Sequence, residues 1–176
     1  MKIFVFTIII MSSLSAFCQQ KQYIVWDDAR INDKIALTIT LSEFEKRYKI
    51  ADSITTPKPD EVCGTRNAVN AKLLYYKGIE YLLDDGKLNF RSIDFSKRRG
   101  MYFAIKDDWF DHTTTLKSFR KSFPEESDLI EDYAADNGEE FDRIIVLPED
   151  LTLNYAWFFY FKDDKLHSIE CVFTCK

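Results

Sequence analysis

Few residues of this chain have the type and spacing to do chemistry. The two histidines, His112 and His167, lie in separate segments with no nucleophile or metal-ligand spacing beside them. There is no G-x-S-x-G serine, no H-E-x-x-H pair and no Walker loop, and the five glycines are too scattered to cradle a phosphate. Carboxylates are plentiful. Asp94 and Glu170 read as residues of solvated strand faces, not as an acid and base at glycosidase distance. Asp132, Asp136 and Gly138 approach a calcium loop, but Ala134 stands where a ligand belongs and Asn137 where the turn glycine belongs. The residues predict no catalytic group, no metal and no cofactor.

One stretch points to binding instead. Residues 125–140 hold Glu125, Glu126, Asp128, Glu131, Asp132, Asp136, Glu139 and Glu140 and no basic residue. A loop of one sign on a rigid sheet steers and holds a basic protein partner. Trp109, flanked by acids, and the pair Tyr75 and Tyr76 are the aromatic anchors such a contact needs. The predicted contact set is therefore Trp109, Tyr75, Tyr76, Glu125, Glu126, Asp128, Glu131 and Asp132.

The frame that positions these residues is written twice. A short helical segment, Leu41 to Tyr48, is followed after a gap by the turn Asp85-Gly86-Lys87-Leu88 and a strand through Ser92-Ile93-Asp94. Leu116 to Phe123 is followed by Asp163-Asp164-Lys165-Leu166 and Ser168-Ile169-Glu170. Leu41, Phe44 and Tyr48 are answered by Leu116, Phe119 and Phe123, each trio on one helical face. The spacing between copies stays close, 75 residues from Leu41 to Leu116, 78 from Leu88 to Leu166 and 76 from Ile93 to Ile169, so small insertions suffice. The pattern predicts an α+β fold of two repeated modules, each a short helix packed on an antiparallel meander, with the two meanders able to form one sheet. Thr40 with Glu43 forms a capping-box pattern, Thr115 opens the second helix, and Pro124 closes it.

The rest is read as follows. Tyr23 to Trp26 is predicted as a strand, Ile31 to Asp33 as a polar connector, and Lys34 to Ile39 as the lead into the first helix. Asp52 to Asp60 is predicted as a proline-bound loop and Asp107 to His112 as the spacer between modules. The aromatic run Leu153 to Phe161 is predicted to be a strand covered on both faces.

Composition narrows the partner. A net charge of −5 and a pI near 5.1 give no basic stripe to displace counterions from phosphates, which argues against nucleic acid. Met1-Lys2, the apolar run from Ile3 to Met11 and the small residues up to Cys18 predict a signal peptide over 1–18, a module over 19–106 and a second over 107–176. The run is too short for a permanent membrane anchor. Export places the mature chain in the periplasm or outside the cell, and retention of an acylated Cys18 is the rival outcome. In that oxidising setting Cys171 and Cys175, roughly 13 Å apart on an extended strand, should not pair with each other, and Cys63 is predicted to pair with Cys175, which ties down a chain end. Pairing of Cys63 with Cys171 stays open.

The two L-x-x-F helices and the D-G-K-L and D-D-K-L hairpins resemble the tandem helix-plus-four-strand modules of small exported proteins with the β-lactamase inhibitor protein fold and of related outer-membrane assembly lipoprotein domains. The resemblance covers most of the chain after residue 18. It implies a non-enzymatic protein that binds another protein on its sheet, as an inhibitor or immunity protein. A structural or assembly component of the envelope is the alternative expectation and a hydrolase the third.

Overall fold

Two-residue turns set the register of the fold. Lys77-Gly78, Asp85-Gly86 and Asp163-Asp164 each have positive φ at both positions. That is the backbone of the tight hairpin turns whose twist matches antiparallel strands. The computed structural model describes residues 21–48, 50–63, 65 and 69–174. The predicted signal peptide and Cys175 lie outside the described residues.

In chain order the strands and helices are β1 (Arg30–Ile31), β2 (Ile35–Ala36), β3 (Thr38–Thr40), α1 (Leu41–Tyr48), β4 (Ser53–Thr55), β5 (Lys72–Tyr76), β6 (Ile79–Asp84), β7 (Lys87–Asp94) and β8 (Phe103–Ile105). They continue as β9 (Asp108–Phe110), α2 (Leu116–Ser122), β10 (Glu131–Ala134), β11 (Glu140–Val146), β12 (Tyr155–Lys162) and β13 (Lys165–Phe173). Short 3-10 segments occupy Pro59–Val62 and Glu126–Asp128. The fold is α+β and mostly antiparallel sheet, with two α-helices among the described residues. No described helix is long and apolar enough to cross a membrane.

A nine-stranded sheet runs β10-β11-β12-β13-β7-β6-β5-β4, with β3 also on β7. β3 takes Lys87 to Asn89, and β13 takes the other end of β7 on the same side. At that junction Ile93 faces Ile169, Asp94 faces Ser168 and Ser92 faces Glu170. A second sheet, β2-β1-β8-β9, is smaller.

Both helices start on a hairpin turn. The Leu41 amide donates to the Gly86 carbonyl at 2.9 Å, and the Leu116 amide donates to the Asp164 carbonyl at 3.3 Å. Thr40 pairs with Lys87, and Thr115 pairs with Lys165. Each helix is capped as its sequence demands. The Glu43 amide donates to Thr40 Oγ1 at 3.2 Å, and the Ser118 amide donates to Thr115 Oγ1 at 3.1 Å.

Helices this short hold only by packing. Phe44 is fully buried, its ring edge-on to Tyr76 at 5.1 Å and Tyr81 at 6.0 Å. Phe119 is fully buried against Phe159 at 4.7 Å, Phe123 at 5.0 Å, and Phe110 and Phe161 at 5.4 Å. The small sheet fills the space between, where Phe103 touches Phe90 and Trp157. One apolar cluster therefore includes side chains of both helices and both sheets. All of these elements lie on the same face of the large sheet.

Several expectations are corrected. Ile31 to Asp33 is not a connector but the end of β1 and a turn, and Lys34 to Ile39 contributes β2 and β3 to two different sheets. The reason is a break at Leu37, which is buried and leaves the strand geometry between the two. The spacer Asp107 to His112 contains β9, and the expected boundary at 106 falls in the turn of the β8–β9 hairpin. Asp52 to Asp60 contains the edge strand β4, paired to β5. Tyr23 to Trp26 forms no strand; Ile24 is buried and Trp26 stacks among Tyr155, Trp157 and Phe173. The aromatic run on β12 is covered on both faces only in part. Trp157, Phe159 and Phe161 are fully buried on one face and Tyr160 is buried on the other, next to a bulge at Tyr160/Phe161, while Phe158 stays partly exposed.

Candidate functional site

With α1, α2 and the small sheet gathered on one face, the other face of the large sheet is covered at its β5–β6 end, where Val62 of the 3-10 segment packs on Ala71, Leu73 and Leu82, and elsewhere is left with the outward positions of its strands. Strand alternation puts Tyr75 of β5, Glu80 of β6, Glu170 of β13 and Tyr160 of β12 there, between inward-facing core residues such as Tyr81 and Ile169. Together with Asp94 and Tyr133 they line a cleft of about 350 Å³.

Carboxylates and aromatic rings recur on this face, and two cations are held by both at once. The Arg143 guanidinium lies 4.8 Å from the Tyr133 ring centroid and 5.0 Å from that of Phe158, and sits 2.7 Å from Glu131. Lys162 Nζ is 2.6 Å from Glu139 and 5.7 Å from the Phe141 ring. Such pairs combine Coulomb attraction with the ring quadrupole.

Glu80 and Glu170 are different. Neither forms an ion pair within the described residues. Burial raises the Glu170 carboxyl above its usual range, against the hydrogen bond from Tyr160 Oη at 3.1 Å and the attraction of Arg143. Burial also raises Glu80, with the charges of Glu61 and Glu170 adding to it, while a hydrogen bond from Tyr75 and the charge of Arg91 oppose it. Burial and the same contact push the Tyr75 phenol up to about 12. Arg91 is itself desolvated, which lowers it; its guanidinium lies 4.1 Å over Phe173 and donates to the Cys63 carbonyl at 2.7 Å.

A consequence for stability follows from the sign of these shifts. A carboxyl whose folded pKa is raised contributes stability below its unfolded pKa, and that contribution is lost as pH rises through the folded value. Glu80→Gln with Glu170→Gln should therefore raise the melting temperature at pH 7 by a few degrees and leave it nearly unchanged at pH 4. Thermal unfolding at the two pH values checks this; a loss of stability at pH 7 contradicts it.

The predicted contact residues do not assemble into one patch. Tyr75 lies in the cleft, but Tyr76 points the other way and is buried against Phe44 and Tyr48 in the core, since neighbours on a strand face opposite sides. Trp109 is exposed at 63% on β9, the edge of the small sheet, on the helix-bearing side.

The acidic stretch is not a free loop. It holds the 3-10 segment and the edge strand β10, which pairs with β11. Its charges are largely met: Lys21 binds Glu125 at 2.9 Å and Glu126 at 3.1 Å, Arg120 reaches Asp128 at 3.7 Å, and Arg143 takes Glu131. Asp132 is exposed on the edge strand.

Cys171 is a free, buried thiol, so it is not the mate of Cys63. Cys63 itself carries no free thiol, and the predicted partner Cys175 lies outside the described residues. Among the described residues no group of three or more His, Cys, Asp or Glu is arranged to hold a metal ion. His112 and His167 each bury Nδ1 without a hydrogen-bond partner, and His167 lies 5.0 Å from the Phe141 ring.

Glu80, Glu170, Tyr160 and Tyr133 are absent from the predicted contact set. A signal for the first two exists: each is a lone carboxylate inside an otherwise apolar strand, in Ile79-Glu80-Tyr81 and Ile169-Glu170-Cys171. Set against known proteins, the chain matches no family model, no curated protein and no solved structure, so the site rests on its own geometry.

Proposed function

We propose that this chain is an exported, non-enzymatic module that binds another protein on the free face of its large sheet, acting as an inhibitor or immunity protein. The observation that carries the reading is that face. It is broad and carries aromatic rings and carboxylates in alternation, while both helices pack on its reverse. Half-exposed aromatic side chains on a rigid backbone are what a protein interface uses for anchorage. Export is supported by residues 1–18 of the sequence, and placement in the periplasm or outside the cell rests on the same residues.

The same reading takes the chain as two copies of a helix-plus-meander unit. Its support is the repeated detail: a threonine caps each helix, the first helical amide binds a hairpin turn, and the strands after those turns meet at Ile93 and Ile169. Shared positions then form the scaffold. Recognition lies where the copies differ.

The test is affinity capture from native envelope extract followed by a binding assay with the purified partner. Phe141→Ala with Tyr133→Ala should weaken the complex by about tenfold or more, whereas Trp109→Ala on the far side should not. The opposite outcome moves the interface to the small sheet. Asp132→Asn, Asp136→Asn and Glu140→Gln together should slow association several-fold at low salt if the partner is basic. Glu125→Gln with Glu126→Gln should do less, since Lys21 already offsets those charges.

A further inference from the structure

The free face of the sheet holds its own cations by one device, a carboxylate on one side and an aromatic ring on another. Arg143 has Glu131 with Tyr133 and Phe158; Lys162 has Glu139 with Phe141. The same components meet a third time in the cleft, where Glu80 and Glu170 stand between Tyr75 and Tyr160. Here no described cation lies within ion-pair distance of either carboxylate. We propose that this cleft takes one arginine side chain of a protein partner, its guanidinium directed to Glu80 and Glu170 and flanked by the rings of Tyr75 and Tyr160. The proposal rests on the reading of this face as the binding surface.

Charge and shape both favour that occupant. Two desolvated carboxylates without a cation are an unfavourable arrangement, and a guanidinium arriving between them relieves it. A planar, delocalised cation is weakly hydrated and stacks on rings, which suits a cleft with aromatic walls better than a compact ammonium does. The nearby cations form no ion pair with either glutamate, although the Arg91 Nε is buried without a hydrogen-bond partner. Arg91 is turned to the Cys63 carbonyl and the Phe173 ring, and Lys97 reaches Asp94 at 3.9 Å. Glu139, the other acid of the cleft, is held by Lys162. That leaves Glu80 and Glu170 with tyrosine hydroxyls but no ion pair among the described residues, and Glu61 adds negative potential near Glu80.

The cleft also implies a pH response. The groups that face Glu80 and Glu170 are Tyr75 on β5, Arg91 and Asp94 on β7, Tyr133 on β10, Tyr160 on β12, Arg143 on β11, His167 on β13, and Glu61, Lys97 and Glu139 beside the strands. Burial raises both glutamates, so they lose their charge at a higher pH than an exposed carboxylate does. Arginine binding should fade over that range.

The test uses a blocked tripeptide, acetyl-Gly-Arg-Gly-amide, titrated into the ¹⁵N-labelled protein, with the citrulline peptide as its neutral isostere. Amide shifts are expected at Glu80, Ser92 and Glu170 for the arginine peptide, with affinity in the millimolar range. The citrulline peptide and the Glu80→Gln, Glu170→Gln variant should each weaken binding by about tenfold. The variant's folding is checked by its own spectrum. Equal binding of citrulline, unchanged binding by the variant, or shifts confined to residues 125–140 overturns the proposal. If the partner complex forms and the double variant leaves it unchanged, the arginine site is refuted and the binding face stands. If the peptide binds as described but Phe141→Ala and Tyr133→Ala leave the partner complex intact, the cleft stands and the wider face reading fails.

Discussion

Replacing Phe119 with alanine should lower the unfolding free energy by about 3–5 kcal/mol, the range for a large aromatic removed from a packed core. The side chain is fully buried and is the hub of an aromatic cluster, with Phe110, Phe123, Phe159 and Phe161 all within 5.4 Å of its centroid. It is also the main tether of α2, a seven-residue helix whose only other buried side chain is Ser122. The helix has too little intrinsic stability to keep its place once that tether is gone. Phe158→Ala is the matched control. It lies on the free face of β12, half-exposed beside Arg143, and should cost about 1 kcal/mol. Urea unfolding of the two variants decides the point; similar losses would show that the faces of β12 are not as unequal as described.

Gly78→Ala should cost at least about 2 kcal/mol, and more than the same change at Gly86. Both glycines have positive φ, +83° and +75°, so an added Cβ meets the same backbone penalty in each. They differ in what stands nearby. At Gly78 the new Cβ would lie 2.7 Å from the Asp94 carbonyl oxygen and 3.1 Å from Lys97 Cβ. At Gly86 nothing lies within 4 Å. The Asp94 amide also donates to the Gly78 carbonyl at 2.8 Å, so backbone cannot move away from the clash without losing that bond. Gly86→Ala should therefore report the φ term alone, about 1 kcal/mol. Chemical unfolding of both variants gives the difference; equal costs would refute the close-approach argument.

The elements that could be read from sequence are those specified by local chemistry. Asp85-Gly86 and Asp163-Asp164 are turn signals whose meaning does not depend on distant residues, and Thr40 and Thr115 announce helices by capping them. The small sheet was hidden for the opposite reason. Strands of two residues, such as Arg30–Ile31 and Ile35–Ala36, have no room to display an alternating pattern. β10 was hidden by its charge, since Glu131-Asp132-Tyr133-Ala134 reads as a solvated loop and is a strand only because β11 pairs with it at a sheet edge. Tyr76 was misplaced because nothing in Tyr75-Tyr76 tells which of two adjacent rings faces the core. The cleft needed tertiary information outright: Glu80 and Glu170 are 90 residues apart and meet across the junction of β7 and β13.

That junction also bears on how the chain folds. It is made of three residue pairs, Ser92 to Asp94 against Ser168 to Glu170. Apart from β3 on β7, the rest of the large sheet pairs strands close in sequence, β4 through β7 on one flank and β10 through β13 on the other. Contacts of short sequence separation form quickly, and contacts between segments some 75 residues apart carry a larger loop-closure cost. Each flank can nucleate by itself, with the junction closing afterwards. The large apolar cluster takes side chains from both flanks, with the small group Ala71, Leu73 and Leu82 set apart on the first, so assembly from two starting points and unfolding in a single transition are the expected behaviour.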